Sequence, residues 1–102
     1  MHPWDARDLK RIINRLQRLM LERDGWNSLF AENHDQPRSV SRYTDDRDEW
    51  REICGKLLCM MQTTLAGTLY VYQGEEIGMC NVPPSWEPEE YKDIESINFF
   101  KK

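Results

Sequence analysis

No apolar run in this chain approaches the roughly 18 residues that a membrane-spanning helix requires, so no membrane partner is expected. Basic residues form no tract. The 14 Lys and Arg are interspersed with 18 Asp and Glu, giving a net charge of −4, which argues against a nucleic acid or other polyanion as partner. The start, Met1-His2-Pro3-Trp4-Asp5, lacks a charged segment followed by an apolar core, and the expected address is cytoplasmic. Cysteine is scarce as well: Cys54, Cys59 and Cys80 are three in number, in no metal-ligand spacing, and are expected to be reduced packing residues with no metal site. There is no internal repeat of repeat-protein length and no low-complexity stretch, so a linker or second domain gains no support. At 102 residues, the chain accommodates one domain at most, with a modest core.

Within those bounds the periodicity is clear. Leu9, Ile12, Ile13, Leu16, Leu19 and Met20 fall at the spacing of one helical face, predicting a helix near 5–23. Asp5 and Asp8 suit its N-terminal end and Arg23 its C-terminal end, with Gly25 expected as the left-handed stop. A second helix is predicted near 47–65, with apolar positions at Trp50, Ile53, Cys54, Leu57, Leu58, Met61 and Leu65 forming a core-facing stripe. Thr44, Asp45 and Asp46 are candidate N-caps for it. Between the helices and after the second lie short runs, near 28–32 and 68–72, that read as buried parallel strands; the stretch 39–44 reads as a loop. The unit is αβαβ, with a βαβ crossover and both strand ends on one rim. Beyond it, Asn81-Val82-Pro83-Pro84-Ser85 is a loop, Glu87-Pro88-Glu89-Glu90 a helical first turn, and the stretch from Asp93 to Phe100 a weaker helix.

The chemistry collects where the first strand ends. Glu32-Asn33-His34-Asp35-Gln36-Pro37-Arg38 places an imidazole, carboxylates, amides and a guanidinium together, at the position where open and closed α/β folds direct side chains into a shared cleft. Asp35 is suited to stabilising positive charge or acting as a base, and His34, Asn33, Gln36 and Arg38 to hydrogen-bonding a polyhydroxylated ligand. A plain turn accounts for the same composition, because Asn, Asp and Pro are turn formers.

The segment Phe30-Ala31-Glu32-Asn33-His34-Asp35-Gln36-Pro37-Arg38 resembles the fourth signature region of the α-amylase superfamily, glycoside hydrolase family 13, in its α-glucosidase, maltase and oligo-1,6-glucosidase branch. Gly67-Thr68-Leu69-Tyr70-Val71-Tyr72-Gln73-Gly74-Glu75-Glu76-Ile77-Gly78-Met79 is similar to the last barrel strand and following turn of that branch, and Tyr91-Lys92-Asp93-Ile94-Glu95-Ser96-Ile97-Asn98 to what comes next. The resemblance implies residues 1–102 as the last strands of a catalytic (β/α)8 TIM barrel, a partial barrel because such a fold takes about 250 residues.

Retaining glycoside hydrolysis uses a nucleophile and an acid/base some 5–5.5 Å apart. The resemblance gives Asp35 neither role: it matches the third acidic residue, the transition-state stabiliser. His34 matches the histidine that hydrogen-bonds sugar hydroxyls; Arg38 matches an arginine that orients loop or substrate, and Asn33 and Gln36 are supporting. No block here resembles the regions that carry the nucleophile and acid, so the 102 residues alone are expected to be inactive. Glu75 and Glu76 match a structural turn, although a carboxylate at the second strand end invites a local acid–nucleophile pairing with Asp35. The implied substrate is an α-glucoside disaccharide or oligosaccharide, without an obligatory organic cofactor. The competing expectations are a non-catalytic binding or assembly module derived from the same fold, and a small autonomous α/β domain with a new ligand.

Overall fold

The computed structural model describes residues 5–87 together with 90, 98 and 99. Helix α1 spans Ala6–Leu21. The carboxylate of Asp5 caps it by accepting the Arg7 backbone N–H at 2.8 Å, and Asp8 lies in the first turn, where the N-terminal partial positive charge favours it. The helix ends at Leu21, two residues short of the predicted 23, and its stop differs too. Asp24, not Gly25, takes the left-handed backbone, at φ 54°; aspartate tolerates that region. Gly25 serves close approach instead: a Cβ there would sit 3.0 Å from Met20 Sδ and 3.2 Å from Met20 O, and its N–H bonds to Met20 O at 2.7 Å.

Strands β1, Ser28–Leu29, and β2, Thr68–Leu69, pair in parallel with Ser28 opposite Thr68. The ladder bonds are Thr68 N–H to Asn27 O and Tyr70 N–H to Leu29 O, both at 2.8 Å. These strands are shorter than the predicted 28–32 and 68–72. Strand length is set by the neighbours that supply ladder bonds, and among the described residues each strand has one neighbour only. Gly67 makes the pairing possible: at φ 154° a Cβ there would meet both Asn27 O and Leu29 Cγ at 2.7 Å.

Between the strands, helix α2, Ser39–Tyr43, occupies what was expected to be loop. Helix α3, Asp48–Thr63, begins as predicted and stops two residues short of 65. Its N-cap is Arg47, not Thr44, Asp45 or Asp46; Asp45 acts one step earlier, its Oδ1 accepting the Arg47 N–H at 3.1 Å. After β2 a short 3-10 turn covers Glu75–Ile77. The predicted helical first turn at 87–90 and the C-terminal helix from residue 93 fall for the most part outside the described residues.

Among the described residues the core is small and mostly polar. Val40 and Leu58 are its buried apolar residues, accompanied by Asn27, Glu32, Ser39 and Gln62. The apolar stripes are largely open: Ile12, Leu16 and Leu19 on α1 are exposed, and so are Trp50, Ile53 and Leu57 on α3, whose stripe was predicted to be core. All three cysteines are free, and Cys59 is exposed rather than packed.

Candidate active-site turn

Residues 33–36 close a turn directly beyond β1. Asn33 is its pivot: Oδ1 accepts the Asp35 N–H at 2.9 Å, and its carbonyl accepts the Gln36 N–H at 3.2 Å. In an Asx turn of this kind the side chain takes the place of a backbone turn bond. His34 Nε2 and Asp35 Oδ2 lie 3.2 Å apart with side chains 79% and 76% exposed, free to meet a ligand. The turn reading and the site reading thus describe the same atoms.

The root of the turn is built differently. Glu32 is 1% exposed at its side chain and faces Arg38, itself 19% exposed, with Oε1 to Nη1 at 3.6 Å. Its other oxygen, Oε2, accepts the Ser39 N–H at 2.7 Å. Burial pushes the Glu32 carboxyl above its usual range; the Ser39 N–H and the charge of Arg38 oppose that shift, while the nearby Glu75 charge adds to it.

Arg38 ties this turn to the far end of β2. Nη1 donates to Gln73 O at 2.6 Å, the Met79 sulfur accepts from Nη2 at 2.9 Å, and the guanidinium lies 5.0 Å from the Tyr72 ring centroid. The Arg38 backbone N–H donates to Asn81 Oδ1 at 2.8 Å. Both strand ends therefore share one rim, as parallel pairing requires.

Glu75 is engaged in holding that rim. One oxygen accepts the Tyr72 N–H at 2.9 Å and the other accepts from Gln62 Nε2 at 2.7 Å. Gln36 accepts from Arg42 Nη1 at 2.6 Å. The structure brings Asn33, His34 and Asp35 together on the outer face, and sets Arg38 inward among Glu32, Tyr72, Gln73 and Met79. Glu32 was not singled out from the sequence. Its signal was a carboxylate placed directly after an apolar run; the partners of the Arg38 that faces it, Tyr72, Met79 and Asn81, lie far along the chain, where no local pattern announces them. Among the described residues no group of three His, Cys, Asp or Glu is placed to hold a metal ion, and no helix is long and apolar enough to cross a membrane.

Comparison with known proteins gives this geometry its context. An alpha-glucosidase of Candida albicans is 48% identical over 98 residues, covering 96% of this chain and 17% of the relative. An oligo-1,6-glucosidase of Parageobacillus thermoglucosidasius is 48% identical over 103 aligned residues, covering 100% of this chain and 18% of the relative. The crystal structure of Bacillus licheniformis trehalose-6-phosphate hydrolase superposes with a TM-score of 0.83 at 43% identity, over 99% of this chain and 18% of that one. The chain thus spans less than a fifth of the relatives it matches, and its parallel strands and helices form part of a TIM barrel. The alpha-amylase catalytic domain matches residues 1–101, and this chain belongs to that glycoside hydrolase family.

Proposed function

We propose that these residues form the last strands of a cytoplasmic α-glucosidase-type barrel that hydrolyses terminal α-linked glucose in maltose- or isomaltose-like sugars, with no organic cofactor. The observation that carries this reading is the His34–Asp35 pair at 3.2 Å, exposed on a braced turn at the carboxyl end of a parallel strand. A carboxylate held there stabilises the oxocarbenium-like positive charge that develops as the glycosidic bond breaks. His34 hydrogen-bonds sugar hydroxyls beside it, Asn33 fixes the turn, and Arg38 orients the loop. The nucleophile and acid/base come from earlier strands of the complete barrel, so the 102 residues alone do not hydrolyse sugar.

A second reading, a non-catalytic binding or assembly module, draws on the open apolar sides of α1 and α3. The native polypeptide distinguishes the two. Immunoblotting and peptide mapping of source-cell extract are expected to find the Asn33–Arg38 peptide in a product several times larger than 12.3 kDa. In that product Asp35→Asn is expected to lower kcat on α-glucosides by about a thousandfold or more. A product of 12.3 kDa, or full activity in Asp35→Asn, overturns the enzymatic reading.

A further inference from the structure

We infer that Glu32 and Arg38 act jointly as positioning residues for Asp35, strapping the 33–38 turn to the end of β2 so that its carboxylate is held where a cationic transition state forms. The inference rests on the catalytic reading of Asp35 above.

The turn's own bonds are local and exposed, and local bonds of that kind do not fix a carboxylate to the roughly 0.5 Å that transition-state stabilisation demands. Glu32 and Ser39 lie on either side of the turn, and the 2.7 Å bond from the Ser39 N–H to Glu32 Oε2 closes its base. Arg38 then fastens that base to Gln73 O at 2.6 Å, and Asn81 Oδ1 takes the Arg38 N–H. Glu32 Oε1 is buried with no hydrogen-bond partner; what faces it is the Arg38 guanidinium at 3.6 Å.

A buried carboxylate in this arrangement is a poor source of stability, since a well-packed neutral residue of like size generally serves a fold as well or better. Its charge holds Arg38 over the base of the turn, with Tyr72 beneath the guanidinium at 5.0 Å. Both side chains are covered, Glu32 at 1% and Arg38 at 19% exposure, while those of His34 and Asp35 stand open. The effect of the covered pair on chemistry passes through the backbone between them.

Charge sign separates positioning from a simple field effect. Glu32→Gln removes a negative charge and Arg38→Gln a positive one, so through the field alone they shift affinity for a cation in opposite directions. If both hold Asp35 in place, both shift it the same way. The measurement is the ratio of inhibition constants, in the native polypeptide, for a cationic glucose-shaped iminosugar and for glucose, a ratio unaffected by any inactive fraction. Each variant is expected to weaken the iminosugar about tenfold while changing glucose less than about twofold. Opposite shifts, or no shift in either, overturn the inference while Asp35→Asn still abolishes turnover. If only Arg38→Gln folds, it decides alone, because its field effect would strengthen the iminosugar; if only Glu32→Gln folds, Glu32→Asp decides, because it keeps the charge and shortens the side chain, so that positioning weakens the iminosugar and a field effect leaves it unchanged. A polypeptide whose hydrolysis survives Asp35→Asn overturns the catalytic reading, and this inference with it.

Discussion

The side-chain amide of Gln17 grips the peptide groups of Ala66 on both sides, Nε2 donating to its carbonyl at 2.9 Å and Oε1 accepting its N–H at 3.0 Å. This pair joins α1 to the segment that enters β2, across 49 residues of sequence. It does for the first helix what the ladder does for β1. Without it, α1 meets the rest of the unit through an apolar face that is only partly covered.

Gln17→Leu keeps the volume and removes both bonds, leaving a half-buried N–H and carbonyl without partners. The expected loss is about 1–3 kcal/mol, read as a lower urea midpoint with an unchanged slope. Gln17→Glu, which retains the acceptor for the Ala66 N–H and loses the donor, should fall between. An unchanged midpoint in Gln17→Leu would show that water satisfies both groups.

Gly67 is the residue on which the strand pairing turns. Any Cβ there would approach Asn27 O and Leu29 Cγ to 2.7 Å in a backbone at φ 154°. Asn27 O is also the acceptor for the Thr68 N–H, so the clash falls on the ladder itself. Gly67→Ala is expected to cost about 2 kcal/mol or more, with faster amide exchange at Thr68 and Tyr70. Exchange unchanged at those two amides would place the strain elsewhere.

What the sequence made legible follows from the range of each interaction. Leu9 to Met20 and Trp50 to Leu65 mark their helices because helical periodicity is local, and Ser28 and Thr68 mark strand starts for the same reason. Strand length was overread, since it depends on neighbours. The stripe at Trp50, Ile53 and Leu57 reads as core in sequence and lies open in the described fold, because periodicity gives a face and not its covering. Asn33, His34 and Asp35 were visible as a cluster. The inward set of Arg38 was not, because it comes from contacts with residues 72–81 that only the parallel pairing brings near, and Glu32 is buried against that inward Arg38 and the Ser39 N–H.

The burial of Glu32 has a consequence for pH. Its carboxyl is raised from the ordinary 4.5, first by desolvation, so the folded state binds that proton more tightly than the unfolded state. The stability it contributes is fully present below about pH 4.5 and is lost as pH rises through the raised value. Glu32→Gln carries no such proton. The variant is therefore expected to gain stability relative to the unaltered protein between about pH 4 and pH 7, measured as the difference in Tm at the two ends. A flat difference would mean that Arg38 and the Ser39 N–H cancel desolvation, and a difference in the opposite direction that they outweigh it.

Glu75 sets the sharpest contrast with Asp35. A carboxylate at the end of β2 resembles a partner in acid–base chemistry, yet its two oxygens are occupied by the Tyr72 N–H and by Gln62 Nε2. Gln62 is buried on α3, so Glu75 fastens that helix to the turn after the strand. Glu75→Ala leaves the Tyr72 N–H and the Gln62 amide without these partners and should lower stability by about 1–3 kcal/mol. In the native polypeptide, kcat of the folded variant should stay within about tenfold of the unaltered protein, against the thousandfold loss expected for Asp35→Asn. The pair of measurements is decisive in either direction: an activity loss in Glu75→Ala as deep as that of Asp35→Asn, at intact stability, would assign Glu75 to the chemistry and not to the scaffold.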